Sequence, residues 1–142
     1  MFSYQTRLRL RHTDAAGVLY FARQFDLIHE AYEAFLEHIG WSLNHMLTKE
    51  PVFVAIIRAE SDYRVPLRLG EDLVIELMVG RVGHTSYVID YDIFRRSADQ
   101  RRELAGTAKT VHVAIDHTVR KKTTLPSALT KQLKAHLTTV AR

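Results

Sequence analysis

The sequence contains no cysteine among its 142 residues. Disulfide bridges, thiolate zinc sites, iron–sulfur clusters and cysteine nucleophiles are therefore excluded. No stretch approaches the roughly 18 apolar residues of a membrane-spanning helix, and the N-terminal residues lack the apolar segment of a secretory signal. We therefore expect a cytoplasmic protein with no membrane partner.

Several catalytic and cofactor-binding signatures are also missing. There is no G-x-S-x-G nucleophile elbow, no phosphate-binding loop and no dinucleotide fingerprint. His12 and Asp14 lie two residues apart, but no second pair of His, Asp or Glu with a recognised ligand spacing accompanies them. The sequence therefore predicts neither a metal site nor a bound cofactor.

The composition is that of a folded protein, with 46% hydrophobic and 25% charged residues. A chain of this length forms one domain, residues 1–142, with a substantial hydrophobic core. The formal net charge of +4 suits an anionic small ligand as well as nucleic acid. Charge alone therefore does not choose the partner.

Hydrophobic periodicity predicts the order of the elements. Residues 4–11 alternate as in a half-buried strand, whereas residues 22–39 carry apolar side chains at three- and four-residue steps, as in an amphipathic helix. Gly40 is placed to end that helix, and residues 42–49 have the length of a short second helix. Residues 127–140 place Leu129, Leu133, Leu137 and Val140 on one face of a C-terminal helix.

Four more strands are predicted between the helices, at residues 52–65, 72–79, 84–95 and 104–115. This order indicates an α+β fold, in which one long helix covers one face of a five-stranded antiparallel sheet. The opposite face would carry the apolar residues Val74, Met78, Val88, Phe94, Val111 and Val113. Because exposed apolar surface favours association, we expect a homo-oligomer.

The segment between the first strand and the long helix carries the most information about function. Asp14 lies there in a loop of small residues, where an isolated aspartate commonly caps a helix or closes an Asx-turn. However, the run Asp-Ala-Ala-Gly-Val-Leu-Tyr-Phe, residues 14–21, resembles the signature of hot-dog-fold acyl-CoA thioesterases of the 4-hydroxybenzoyl-CoA thioesterase type. The type enzyme has a tyrosine where this chain has Phe21.

The resemblance implies a hot-dog fold, with the sheet wrapped around the long helix, and assembly as a dimer or a tetramer of two dimers. It implies thioester hydrolysis with Asp14 as nucleophile or general base, and the order of residues does not separate these two routes. The Phe21 N–H would stabilise the oxyanion, and Gly17 would let the loop approach the thioester. Tyr20 would contact the substrate.

A second resemblance is narrower. Residues 115–126, which contain Arg120, Lys121 and Lys122, resemble the basic tail of thioesterases that hydrolyse 1,4-dihydroxy-2-naphthoyl-CoA, and residues 29–33 are similar to their central helix. The three cations suit the phosphates of CoA. The alternative is a solvated basic run on the surface.

Other functions are compatible with parts of the sequence. The chain could be a non-catalytic acyl-CoA-binding module, or a thioesterase for medium-chain aliphatic acyl-CoA. Glu30 or Glu33 could be catalytic, as a helical glutamate is in a second hot-dog subclass, although a solvated helix face explains both. Alternating arginines at positions 7, 9 and 11 could follow nucleic-acid phosphates, but no aromatic residues interleave with them, so we expect no nucleic-acid partner.

Overall fold

The computed structural model describes residues 1–138. Its elements follow the predicted order: β1 Phe2–Arg7, α1 Gln24–His38, α2 Leu43–Lys49, β2 Val52–Tyr63, β3 Asp72–Val82, β4 Ser86–Arg96, β5 Arg102–Asp116 and α3 Ser127–Ala135. Two short 3₁₀ turns, Leu10–His12 and Phe21–Arg23, lie between β1 and α1. The predicted α+β class is therefore confirmed.

The five strands form one antiparallel sheet in the order β1-β3-β4-β5-β2. Strand β4 shows why the chain folds this way, because Tyr87, Ile89, Tyr91 and Ile93 alternate along it and all are buried. Alternation places these side chains on the face that meets α1. Strands β1 and β2 form the two edges of the sheet.

Helix α1 supplies the other half of the core. Its apolar stripe is buried as the periodicity predicts, with Leu27, Ile28, Ala31, Tyr32, Phe35 and Leu36 at most 3% exposed. Burial of each large apolar side chain contributes roughly 1.5–3 kcal/mol. Gly40, with φ +81°, follows the helix and its N–H donates to the carbonyl of Glu37, as expected for a helix that ends there.

The first strand is shorter than its alternation indicates. β1 ends at Arg7, and the buried Leu8 leaves the ladder while its backbone bonds to residues 70 and 71. The chain then turns because His12 binds it in two places: the ring accepts the Arg9 N–H, and the carbonyl accepts the Tyr20 N–H. These tertiary hydrogen bonds override the alternating pattern.

The C-terminal helix also ends early. α3 stops at Ala135, and Leu137, which was expected on its apolar face, is 48% exposed. Leu129 and Leu133 are fully buried, as the periodicity indicates. Val140 lies outside the described residues.

The second face of the sheet is covered in part by the chain itself. Val74, Met78 and Val113 are 5–6% exposed. Arg102 stacks over Phe94 at 4.1 Å and pairs with Glu76, so its aliphatic stem shields this face. Edge strand β2 also carries exposed apolar side chains, since Ile56 and Ile57 are 42% and 64% exposed.

Candidate active site

The loop that carries Asp14 is a tight hairpin. Thr13 and Leu19 form an antiparallel β-bridge. Inside it, the Asp14 N–H donates to the carbonyl of Val18 at 2.9 Å, and the Gly17 N–H donates to the carbonyl of Asp14 at 3.1 Å. Gly17 has φ +75°, and a Cβ added there would meet nothing within 4 Å. Glycine is therefore required for the left-handed backbone of the hairpin rather than for lack of space.

The Asp14 carboxylate is exposed and bound on one side only. Its Oδ1 accepts the N–H groups of Ala16 at 2.8 Å and Val18 at 3.3 Å, which is the local turn expected of an aspartate here. Because both bonds use Oδ1, Oδ2 is available to a water molecule or a carbonyl carbon. The same residue thus closes the hairpin and presents a carboxylate oxygen outward.

The hairpin is anchored to the segment that connects β2 with β3. The Leu19 N–H donates to the carbonyl of Leu67 at 2.8 Å, the Leu69 N–H donates to the carbonyl of Gly17 at 2.9 Å, and Val18 bridges Arg68. Leu67 is itself buried in the core. The position of the loop is therefore fixed by the sheet as well as by α1.

The 3₁₀ turn Phe21–Arg23 begins directly after the hairpin and leads into α1. The first amides of a helical segment have no acceptor within it. In the described part of the chain, the Phe21 and Ala22 N–H groups have no backbone acceptor. The Tyr20 and Phe21 rings contact each other at 4.9 Å and are 45% and 62% exposed. An anionic oxygen in front of this turn would thus meet two unused donors.

His12 and Glu30 tie this region to α1, a role that the sequence pattern did not reveal. His12 is 1% exposed, and because its Nδ1 accepts the Arg9 N–H, its hydrogen lies on Nε2, 3.9 Å from Glu30 Oε1. Burial lowers the pKa of His12, and the negative charge of Glu30 partly offsets this. Arg11 donates to the same Glu30 oxygen at 3.1 Å.

The two helical glutamates therefore differ. Glu30 is 28% exposed at its side chain and holds the junction loop, whereas Glu33 is half exposed and lies 3.4 Å from His29 Nδ1. Both are engaged in ion pairs with groups outside the Asp14 hairpin. The solvated-face interpretation describes Glu33 better than Glu30.

A cleft of about 350 Å³ opens beside Phe21. Its lining is mostly apolar and includes one cation: Leu19, Phe21, Tyr63, Arg64, Val65, Pro66 and Leu67. Tyr63, the last residue of β2, donates its hydroxyl hydrogen to the carbonyl of Phe21 at 2.6 Å. Sequence inspection missed Tyr63, because 42 residues separate it from Phe21 and no local pattern marks it.

The basic residues 120–122 lie elsewhere. They belong to a turn after β5, closed by the Asp116 N–H to the carbonyl of Lys121, and the Arg120 guanidinium lies 5.5 Å from the Phe53 ring. Phe53 is near the start of β2 and Tyr63 is at its end. At about 3.3 Å per residue, the ten steps from Phe53 to Tyr63 extend up to roughly 33 Å along the strand. Within one protomer, the basic turn and the Asp14 hairpin therefore lie at opposite ends of β2.

The described residues contain neither a metal-ligand cluster nor a membrane-spanning helix. Within residues 1–138, no three His, Asp or Glu side chains are grouped so that they could hold a metal ion. Over the same range, none of the helices combines the length and apolar character needed to cross a bilayer.

The fold and the hairpin at the start of α1 define a class of proteins. The sequence profile of the thioesterase-like superfamily matches residues 8–133. The chain belongs to this superfamily, and it is a hot-dog-fold thioester hydrolase.

Individual relatives refine this class. The chain is 37% identical over 135 residues to the 1,4-dihydroxy-2-naphthoyl-CoA hydrolase of Rippkaea orientalis, covering 95% of this chain and 96% of the relative. It is 36% identical to the hydrolase of the same name from Gloeothece citriformis, covering 94% and 92%. The crystal structure of Slr0204, a 1,4-dihydroxy-2-naphthoyl-CoA thioesterase from Synechocystis, superimposes with a TM-score of 0.84 at 29% identity, covering 94% of this chain and 95% of that one.

Proposed function

We propose that this protein hydrolyses an aromatic acyl-CoA, with 1,4-dihydroxy-2-naphthoyl-CoA as the preferred substrate, to the free acid and CoA. The observation that carries the proposal is the arrangement of one outward carboxylate oxygen, on Asp14, and the unused amides of the turn at Phe21 on one anchored loop. The adjacent apolar cleft suits an aromatic ring. The named activity of the relatives supports the choice of acyl group.

The chemistry follows from the charge that develops on the thioester. Attack on the carbonyl carbon moves an electron pair to its oxygen, which the Phe21 N–H stabilises. In one route Asp14 Oδ2 forms a bond to that carbon, the carbon–sulfur bond breaks with release of CoA thiolate, and water then hydrolyses the mixed anhydride. In the other, Asp14 removes a proton from a water molecule that attacks the same carbon, the tetrahedral intermediate then collapses with cleavage of the carbon–sulfur bond, and the CoA thiolate takes up the proton from Asp14.

Measured on a panel of CoA esters, kcat/KM should be highest for 1,4-dihydroxy-2-naphthoyl-CoA. We expect at least a 10-fold preference over benzoyl-CoA and C4–C16 esters, because each added apolar contact in a matched pocket contributes about 1–3 kcal/mol. Preference for a C8–C12 ester would instead assign a medium-chain aliphatic thioesterase. Binding of every ester without turnover would contradict the proposed hydrolysis and would support a non-catalytic acyl-CoA-binding module.

We also propose that two copies associate through β2. This strand is a sheet edge of 12 residues with Ile56 and Ile57 exposed, and such an edge is completed by antiparallel pairing with the same strand of a second copy. Two-fold pairing places the start of one β2 beside the end of the other. The basic turn at residues 120–122 of one protomer would then face the Asp14 hairpin of its partner, where it can bind the CoA phosphates.

Mixing two inactive variants tests this arrangement. Asp14→Asn lacks the carboxylate, and a triple variant with Arg120, Lys121 and Lys122 changed to alanine lacks the CoA cations. In a mixed dimer, one site receives an intact Asp14 and an intact basic turn. Co-expression at equal amounts should therefore restore about a quarter of the wild-type activity, since half of the dimers are mixed and each has one complete site of two.

Each variant alone is the control, assayed at a CoA-ester concentration well below KM. If the basic turn served its own protomer, every site in the mixed dimer would lack one element and mixing would restore nothing. Further assembly into a tetramer of two dimers, and a cytoplasmic location, stay predictions of the sequence.

A further inference from the structure

The hydroxyl of Tyr63 contacts the turn Phe21–Arg23, although the two are distant in the sequence. It donates to the Phe21 carbonyl at 2.6 Å, while the backbone of Tyr63 pairs with Gly106 in the sheet. The same carbonyl also accepts the N–H of Gln24, the first residue of α1. The Phe21 carbonyl therefore points along the turn toward α1 and has two donors.

The peptide bond that links Phe21 to Ala22 transmits this contact. In a planar trans peptide the C=O and N–H groups point in opposite directions. Because the Phe21 carbonyl points toward α1, the Ala22 N–H points in the opposite direction, away from α1. It therefore lies at the N-terminal end of the turn, where the Phe21 N–H also lies. Donation from Tyr63 also polarises the peptide, which makes the Ala22 N–H a stronger donor.

Resting on the proposed function, we infer that Tyr63 is a positioning residue of the oxyanion hole, and that the Ala22 N–H is a second oxyanion donor beside the Phe21 N–H. Tyr63 does not touch the reacting atoms in this arrangement. It holds and polarises the peptide that does, and its ring at the same time forms one wall of the cleft.

A purely structural role for the hydroxyl is disfavoured by the other contacts of this region. The side-chain Nε2 of Gln24 lies 3.2 Å from both Ser61 Oγ and the carbonyl oxygen of Asp62, so the start of α1 is bound to β2 without Tyr63. Tyr63 and Phe21 are 46% and 62% exposed. If the hydroxyl of Tyr63 is removed, water can therefore replace its hydrogen bond to the Phe21 carbonyl, and no buried polar group is left unpaired. Removing the hydroxyl should thus change turnover more than stability.

The test is Tyr63→Phe, which removes only the hydroxyl and keeps the ring in the cleft wall. We expect kcat to fall about 10-fold, less than the 10²–10³-fold loss of a complete oxyanion donor, because both amides remain. KM should stay within about twofold and the melting temperature within about 2 °C of wild type. Tyr4→Phe, on β1 where the backbone of Tyr4 pairs with Ile75 rather than with the turn at Phe21, is the control and should leave kcat unchanged.

Two CoA analogues separate positioning from packing. A CoA analogue in which a CF₂ group replaces the thioester sulfur is a difluoroketone that forms a tetrahedral oxyanion mimic when a nucleophile adds to it, and its Kd should rise in Tyr63→Phe by the same factor as kcat falls. A CoA thioether without a carbonyl should bind wild type and variant equally. Unchanged kcat, or equal weakening of both analogues, would overturn the inference.

The outcomes also separate this inference from the proposed function. Turnover by wild type that depends on Asp14, together with normal turnover by Tyr63→Phe, rejects only the role of Tyr63. Absence of turnover by wild type on all CoA esters rejects the proposed function and this inference with it.

Discussion

Asp14→Asn will lower kcat for CoA-ester hydrolysis about 10²- to 10⁴-fold, the range for loss of a positioned general base, and KM will change little. The substitution isolates the chemistry because the amide oxygen of asparagine can still accept the N–H groups of Ala16 and Val18, which the carboxylate now binds through Oδ1. The hairpin is thus preserved, and what is lost is an oxygen able to attack or to take up a proton. Steady-state kinetics with 1,4-dihydroxy-2-naphthoyl-CoA measures the effect.

The matched control is Asp99→Asn in the turn between β4 and β5. Asp99 is also exposed, and its Oδ1 accepts a backbone N–H two residues ahead, at Arg101. The two substitutions therefore make the same chemical change in the same kind of turn. A loss of activity in both variants, or in neither, would contradict a specific chemical role for Asp14.

A single turnover in H₂¹⁸O with enzyme in excess then tests for an anhydride that water opens at the aspartyl carbonyl. If Asp14 forms an anhydride and water attacks the aspartyl carbonyl, the first product carries no label and the label enters Asp14. If Asp14 acts as a general base, every product molecule carries one ¹⁸O. Mass spectrometry of the product and of the peptide that contains Asp14 reads out both fates.

Acid will destabilise the fold steeply because of a histidine that the mechanism does not use. His112 is fully buried, with its ring stacked on Tyr87 at 4.8 Å and its Nε2 2.7 Å from Thr110 Oγ1. Burial lowers the pKa of His112 from 6.5 to about 3, and the positive charge of His29 adds to this. Its Nδ1 has no hydrogen-bond partner among the described residues.

The direction of the pH effect follows from proton binding. Below pH 6.5 the imidazole takes up a proton in the unfolded chain, whereas in the folded chain it stays neutral until about pH 3. The free energy of unfolding therefore falls as the pH is lowered through this window, by about 1.4 kcal/mol per pH unit from His112. The lowered pKa of His12 acts in the same direction.

His112→Phe tests this linkage. Phenylalanine keeps an aromatic ring against Tyr87 and cannot be protonated, so its free energy of unfolding should fall by about 2–3 kcal/mol less than that of wild type between pH 6.5 and 4.5. Urea unfolding at fixed protein concentration gives both curves. The exposed His84→Gln is the control and should retain the wild-type slope; an equal slope for His112→Phe would show that acid acts elsewhere.

Local pattern was sufficient for most of the fold. Periods of two and of three to four residues predicted β3, β4, α1 and α3, because burial of one face is set by the spacing of apolar side chains, whereas β-branched residues predicted β2. It failed at Leu8–Arg11, where alternation continues but the chain turns, because hydrogen bonds from His12 to residues 9 and 20 outweigh it. Such bonds join residues through space and leave no periodic signal.

Some residues of the candidate site could be identified from local sequence, and others only from the tertiary structure. Asp14, Gly17 and Phe21 are close in sequence, so their motif can be recognised without the structure. Tyr63, and the contacts of Glu30 with Arg11 and His12, could not be found in this way, since each reaches the loop from another element. Residues 120–122 form a basic run that is visible in the sequence, but their separation from Asp14 depends on the length of β2 in the folded chain.

The sequence by itself determined the element order, the α+β class and the loop where a carboxylate precedes free amides, since these depend on contacts within a few residues. Only the tertiary structure decided that the Tyr63 hydroxyl bonds to the Phe21 carbonyl and that β2, with its exposed apolar side chains, is an edge of the sheet. Those features depend on how strands distant in the chain are paired, and pairing is a property of the packed sheet rather than of any one segment.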